Sequence, residues 1–325
     1  TPPEVVSVHA GGDPTVIRIR FSEPLDPTTA TVPGNYAVTP GITVEAAEVD
    51  GDGSLVTLRT SPMRPGEYTL AVRGVTDTWP TPNRIADGTT VRFTWRERPP
   101  RITDGLLALY TPGTLTDDVI QDRSRVEQPV HLQVAEGSVV QVADGALAIR
   151  QSSLIASPEP ATPIVQACRE SNEITIEAWV RPASLQQQGP ARIVTLSRDP
   201  GQRDFTLGQQ DDRYIVRLRT TGTDANGIPS LDAPRGSLTT DLTHVVYTRA
   251  ADGAAHIYIN GEEAVTGRVA GDLSNWNDSF RLALANELTR DRPWLGDIHL
   301  VAIYSRALSA AEVRTNFDAG PDAAD

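Results

Sequence analysis

The chain has 325 residues, 39% of them apolar, with a formal net charge of −13 and a pI near 4.9. That length and apolar content suit about two domains with packed cores, while the acidic balance argues against nucleic acid and anionic lipid surfaces, which require basic patches. No stretch is apolar enough to cross a bilayer as a helix, and the single cysteine, Cys168, excludes an intrachain disulfide and reads as a small buried hydrophobe.

Residues 1–97 form the first unit. Runs at 5–8, 16–21, 44–49, 55–58, 68–72 and 91–95 are rich in Val, Ile, Thr and aromatic residues. Turns rich in Pro, Gly and Asp separate them at the spacing of a β-sandwich, and no segment has a helical period. Asp50-Gly51-Asp52-Gly53-Ser54 has the acidity of a calcium loop. An EF-hand loop, however, needs Gly at its sixth position and a bidentate Glu at its twelfth. Here Gly53 falls at the fourth and Ser61 at the twelfth, so a hairpin turn is expected. Arg20-Phe21-Ser22-Glu23-Pro24-Leu25-Asp26, Asn35-Tyr36 and the hairpin spanning 60–70 give this unit a resemblance to the bacterial Ig-like domains of surface proteins. The stiff Pro99-Pro100 marks residues 98–103 as a short linker.

Residues 104–320 form the second unit. Strands are expected at 105–110, 139–142, 147–149, 174–182, 192–196, 204–208 and 214–219, with long loops at 151–172 and 220–240. Residues 244–265 make two successive hairpins, turning at Ala251-Asp252-Gly253 and at Asn260-Gly261; the latter suits a type I′ turn, which needs φ > 0 at both central positions. The one expected helix is 307–317, with Ser309 as N-cap and Glu312 completing a capping box. Residues 321–325 are expected to be a flexible tail. The segments THVVYTRAADGAAHIYINGEE (243–263), ITIEAWVRP (174–182), LGDI (295–298) and VAIYSRALS (301–309) fall in the order found in laminin-G-like domains of the concanavalin A-like jelly-roll superfamily, which the stretch 105–320 resembles. The fold class is therefore all-β, an Ig-like sandwich followed by a laminin-G-like jelly roll.

That fold hosts lectins, adhesion modules and glycosidases, so function must come from particular residues. Glu173 and Glu177 share a strand face, as acids do in one glycosidase family of this fold. They lie ~13 Å apart at the rise of a strand, against the about 5 Å that retaining hydrolysis needs. The strand is therefore expected to be half-exposed and structural. His244 and His256 are expected as a packing pair across the first hairpin. The resemblance implies calcium held by Asp and Asn at loop rims. Asp272, Asn275, Asp278, Asp122 and Asp297 are the candidate ligands, with Asp224, Asn226 and Asp232 as a second cluster. The chain departs from the family at Thr243-His244, where a Trp-His pair is usual, and near His299-Leu300, where an acidic pair is usual. Trp276, Asn277 and Trp294 lie in loop-like sequence and are the candidates for stacking against sugar, whereas Trp179 is expected in the core.

All 29 basic residues are Arg, a composition that follows from a GC-rich genome or from carboxylate pairing at an interface. The reading that emerges is not an enzyme but an extracytoplasmic interaction module in the periplasm or on the cell surface. Its expected partners are other envelope or surface proteins, and any export signal or anchor would precede Thr1. A carbohydrate-binding module, calcium-dependent, is the alternative; a glycoside hydrolase comes third.

Overall fold

The computed structural model describes residues 1–50 and 53–321. Gly51 and Asp52 of the expected calcium-like turn, and residues 322–325 of the expected tail, lie outside the described residues. The chain divides into two compact units, Thr1–Pro99 and a second beginning at Pro100.

Among the described residues, seven strands build the first unit: β1 (Val5–His9), β2 (Val16–Phe21), β3 (Tyr36–Thr39), β4 (Val44–Val49), β5 (Leu55–Thr60), β6 (Gly66–Val72) and β7 (Thr90–Trp95). One sheet has the order β1-β2-β5-β4 and the other β3-β6-β7. Alternation along each strand sends Ile17, Ile19, Val56 and Leu58 of the first sheet into one core with Tyr36, Val38, Leu70 and Val72 of the second. A four-residue helix, Pro27–Ala30, interrupts the β pattern; Asp26 caps it and Pro27 suits its first turn. The Tyr68 hydroxyl donates to the Arg64 carbonyl at 2.8 Å and accepts from the Arg64 N–H at 3.0 Å, which fixes the corner between β5 and β6.

The second unit is two large antiparallel sheets. Ile174–Pro182 lies at the centre of one, between Thr243–Arg249 and Gly296–Tyr304. The half-exposed character expected for this strand is overturned, because only Arg181 is exposed along it. Ile174, Ile176, Ala178 and Val180 enter the core between the sheets. On the other face Trp179 joins a second apolar layer with Val246, Leu300, Tyr304, Leu308 and Val313. The helix Ala310–Ala319 covers that layer, with the Ser309–Glu312 capping box in place and Phe317 stacked on Trp179 at a centroid distance of 5.6 Å. The double hairpin forms as its turn residues dictate, Asn260 at φ 53° and Gly261 at φ 79°.

Two expected loops contain regular structure. Within 151–172, Thr162–Ser171 is a helix with Pro163 in its first turn, Ile164, Val165 and Cys168 buried, and Asn172 closing it in the left-handed region. The flanking prolines masked this short apolar face. Within 220–240, Leu231–Asp232 adds a short edge strand beside Arg213–Leu218.

Replacing Tyr68 with Phe leaves the Arg64 N–H without its hydroxyl acceptor. The expected loss is about 1–2 kcal/mol from the first unit, read as a lower urea midpoint in Trp95 fluorescence with the slope unchanged.

Candidate functional site

The Glu173-Ile174-Thr175-Ile176-Glu177 row is consumed by structure. Glu173 accepts the Ala307 N–H at 3.0 Å. The Thr175 hydroxyl donates to the Arg306 carbonyl at 2.7 Å and accepts the Leu308 N–H at 2.9 Å. Glu177, fully buried, accepts from Arg101, from His244 Nε2 at 2.8 Å and from Asn316 Nδ2 at 2.8 Å, with the Tyr304 hydroxyl at 3.3 Å. The alternate polar positions thus anchor the segment that leads into the C-terminal helix. Arg101, which the sequence placed in the linker, is buried in the second unit. Burial pushes the Glu177 carboxyl up, but the Arg101 guanidinium and the His244 hydrogen bond outweigh it and bring its pKa to about 2.

The residues chosen for sugar stacking are enclosed, which corrects that expectation. Trp276 is 3% exposed and its indole N–H donates to the Arg219 carbonyl; Trp294 is 0% exposed and donates to Gln209. Neither ring offers a face to a ligand, because each indole fills the core and sends its one donor to an internal acceptor. The N–H of Asn277 donates to both oxygens of buried Asp204, at 3.0 and 3.1 Å. Burial raises Asp204 from 3.8 to about 7, against the pull of the Asn277 hydrogen bond, Arg219 and Arg169.

The expected metal ligands are not gathered into one site. Asp272 accepts from Ser274, Asn277 from Ser279 and Asp224 from Asn226 and Ile228, the local turns that Asx residues favour. Asp278 is exposed and Asn275 half-buried. Asp122 accepts the N–H groups of Leu109, Ser124 and Val130, while Asp297 pairs with Arg150. Asp232 pairs with Arg213, and the Asn226 side chain accepts from Arg217. Among the described residues no group of three or more His, Cys, Asp or Glu is placed to hold a metal ion. His244 and His256 are also apart, since His256 pairs with Thr248 and the neighbour of His244 is Asn260.

What sequence inspection missed lies on the other large sheet of the second unit, nine-stranded, with Ala191–Asp199, Gln202–Gln210 and Arg213–Leu218 as neighbours in it. In Ala191–Asp199, Gln202–Gln210 and Arg213–Leu218, the residues Val194, Leu196, Phe205, Leu207, Val216 and Leu218 enter the core. Alternation therefore puts Thr195, Thr206 and Arg217 on the opposite face, where register aligns them in one rung. Arg203 donates to Thr206 Oγ1 at 3.0 Å and Arg192 Nε donates to Glu287 at 3.1 Å; both arginines are 0% exposed. Glu287 also accepts from Ser197, and the Arg192 N–H donates to the Arg292 carbonyl at 3.1 Å. Burial lowers the proton affinity of Arg192, Arg203 and Arg217, and neighbouring guanidinia lower it further. The available signal was the presence of arginines between apolar positions in strands.

Residues 159–314 match the model of the Concanavalin A-like lectin/glucanases superfamily, and the second unit carries that jelly roll. Among solved structures the chain is similar to the receptor-binding domain of a botulinum neurotoxin C/D mosaic serotype, at 15% identity over 67% of this chain and 52% of that one, TM-score 0.51. It is also similar to botulinum neurotoxin type C in a structure concerned with two ganglioside molecules, at 15% identity, 67% and 51% coverage and TM-score 0.50. Domain 4 of AbnA, an extracellular arabinanase from Geobacillus stearothermophilus, in complex with arabinotriose, matches at 22% identity, 67% and 98% coverage and TM-score 0.48. The chain spans about half the length of the neurotoxin chains, and these likenesses concern the fold alone. No curated protein matches the sequence.

Two substitutions separate the buried carboxyls. Glu177→Gln strands Arg101 without a counter-charge and should cost about 3–5 kcal/mol. In the wild type the Glu177 contribution is complete above 4.5 and disappears as pH falls toward about 2, a limb the variant lacks in acid unfolding. Asp204 acts with the opposite sign: its proton is held more tightly in the folded state, so stability falls as pH rises from 3.8 through about 7. Asp204→Asn should abolish that decline, worth about 2–3 kcal/mol between pH 5 and pH 8, in urea midpoints measured at those two values.

Proposed function

We propose that this chain is a non-catalytic, extracytoplasmic binding module, with an Ig-like spacer followed by a jelly-roll head that engages partners in an envelope or surface assembly. The observation that carries the non-catalytic reading is the fate of the 173–177 row. Each of its three polar side chains is bonded to the 304–316 segment, and Glu177 also sits against Arg101 and His244. A carboxyl held at about 2 by the Arg101 guanidinium and the His244 hydrogen bond has neither the proton for general acid work nor an approach for substrate.

The spacer reading is supported by topology. The orders β1-β2-β5-β4 and β3-β6-β7 correspond to the ABED and CFG sheets of a constant-type Ig sandwich. Tyr68, near the start of the sixth strand and bonded to the backbone four residues upstream, occupies the place of a tyrosine corner. The second reading, a glycan rather than a protein as ligand, is favoured by the polar, arginine-bearing face of the nine-stranded sheet.

Binding and turnover are tested together. The full chain, incubated with a panel of polysaccharides, should release no reducing sugar. It should either be retarded by one of them in affinity electrophoresis or retain a stoichiometric partner from an envelope extract. Release of reducing sugar that Glu177→Gln abolishes, while the variant stays folded, would place the chain among the hydrolases.

A further inference from the structure

The second unit places cations where it supplies too few anions. Arg203 is wholly enclosed, yet its side chain bonds only the Thr206 hydroxyl and the Pro200 carbonyl; its Nε has no partner. Arg192 has one carboxylate, Glu287, and a buried Nη2 without a partner. Arg217, half-buried, donates to Asn226 and leaves a buried Nε unpaired. Arg292, attached to Arg192 through a backbone hydrogen bond, keeps a similarly unpaired Nε. Asp291 pairs with Arg292 itself, and the other nearby carboxylates are engaged elsewhere: Asp199 with Arg198, Asp232 with Arg213 and Asp224 with backbone N–H groups.

A buried guanidinium with no counter-ion is among the costlier arrangements a core can hold. Of these four arginines only Arg192 and Arg292 have a carboxylate partner, Glu287 and Asp291, so the cluster carries an excess of positive charge in a chain of net charge −13. Such an arrangement suits a ligand that brings the missing negative charge. Guanidinium forks match oxyanions bidentately. The half-buried Asn226 amide beside Arg217 gives the approach hydrogen-bonding character, while the enclosed Thr195 and Thr206 hydroxyls bond each other at 2.6 Å. Hot spots of protein interfaces combine Arg with Trp and Tyr, and among the described residues none of these four arginines lies over an aromatic ring, so this face fits a hydroxyl-rich ligand better.

We propose that the face bearing Arg192, Arg203, Arg217 and Arg292 binds an oxyanion-bearing saccharide, its carboxylate or sulfate seated at the part-exposed Arg217 and Arg292 above the enclosed charges of Arg192 and Arg203. The partly exposed Arg217 and Arg292 form the approach, and Arg192 and Arg203 form the floor. Without ligand the floor is a destabilised feature of the fold, as binding sites commonly are. This inference rests on the binding-module reading and specifies its ligand.

The test is calorimetry on the full chain with four probes: oligogalacturonate, a sulfated oligosaccharide without carboxylates, its neutral parent, and polyglutamate. The carboxylate or the sulfate probe should bind at least tenfold more tightly than the neutral parent, the stronger of the two naming the oxyanion. Affinity should fall at least fivefold between 50 and 500 mM salt, and Arg217→Gln should lose it tenfold or more. Arg203→Met provides a readout that a structural role would not produce: binding disappears while the ligand-free melting temperature stays level or rises. A lower melting temperature or misfolding in that variant would make Arg203 a structural cation and overturn the proposal. So would equal affinity for the neutral parent, binding of polyglutamate alone, or no binding by any probe at millimolar concentration. If those negatives coincide with retention of an envelope partner, only the arginine site fails; release of reducing sugar would remove the binding-module reading as well.

Discussion

The second unit depends on the burial of one carboxylate. Glu177 sits at the middle of the central strand with no access to solvent, and a lone charge there would be untenable. Arg101 comes from one end of the unit and Asn316 and Tyr304 from the other, so a single side chain ties both ends to the sheet. His244, from the neighbouring strand, completes the shell. Such a network is weak as a source of net stability compared with apolar packing, but strongly destabilising when broken. Its effect is to specify where the C-terminal helix docks.

Around that anchor the apolar layers follow. Trp179, two residues along the same face, stacks on Phe317, and the Arg314 guanidinium lies over the opposite partner of that stack at 5.1 Å from the Phe317 centroid. Gly261 packs beneath the same helix; a Cβ there would lie 3.1 Å from Phe317, besides meeting the strain of its positive φ. The hairpin turn and the helix therefore constrain each other. This is a case where local turn chemistry and tertiary packing select the same residue.

The two sheets of this unit use buried polar groups differently. On the Glu177 side the carboxylate is bonded by Arg101, His244, Asn316 and Tyr304, while Arg101 Nε and His244 Nδ1 have no partner. On the arginine side the four guanidinia outnumber the two carboxylates paired with them, Glu287 and Asp291, and several of their N–H groups are unpaired. Buried donors without acceptors are uncommon in folded proteins, and where they occur they call for a specific explanation.

The sequence by itself determined the all-β class, the two turns of the double hairpin, the capping box and the jelly-roll resemblance. These rest on short-range rules: φ > 0 at Asn260-Gly261, the Ser309–Glu312 exchange, and alternation along strands. It did not determine which polar residues would be buried, because alternation assigns a side chain to a face and says nothing of what covers that face. Glu177 and Trp294 looked available to solvent or ligand until the tertiary structure laid a helix over one and a sheet core around the other. The arginine face was illegible for the same reason. Arg192, Arg203 and Arg217 are scattered along three strands, and only antiparallel register brings their charges together.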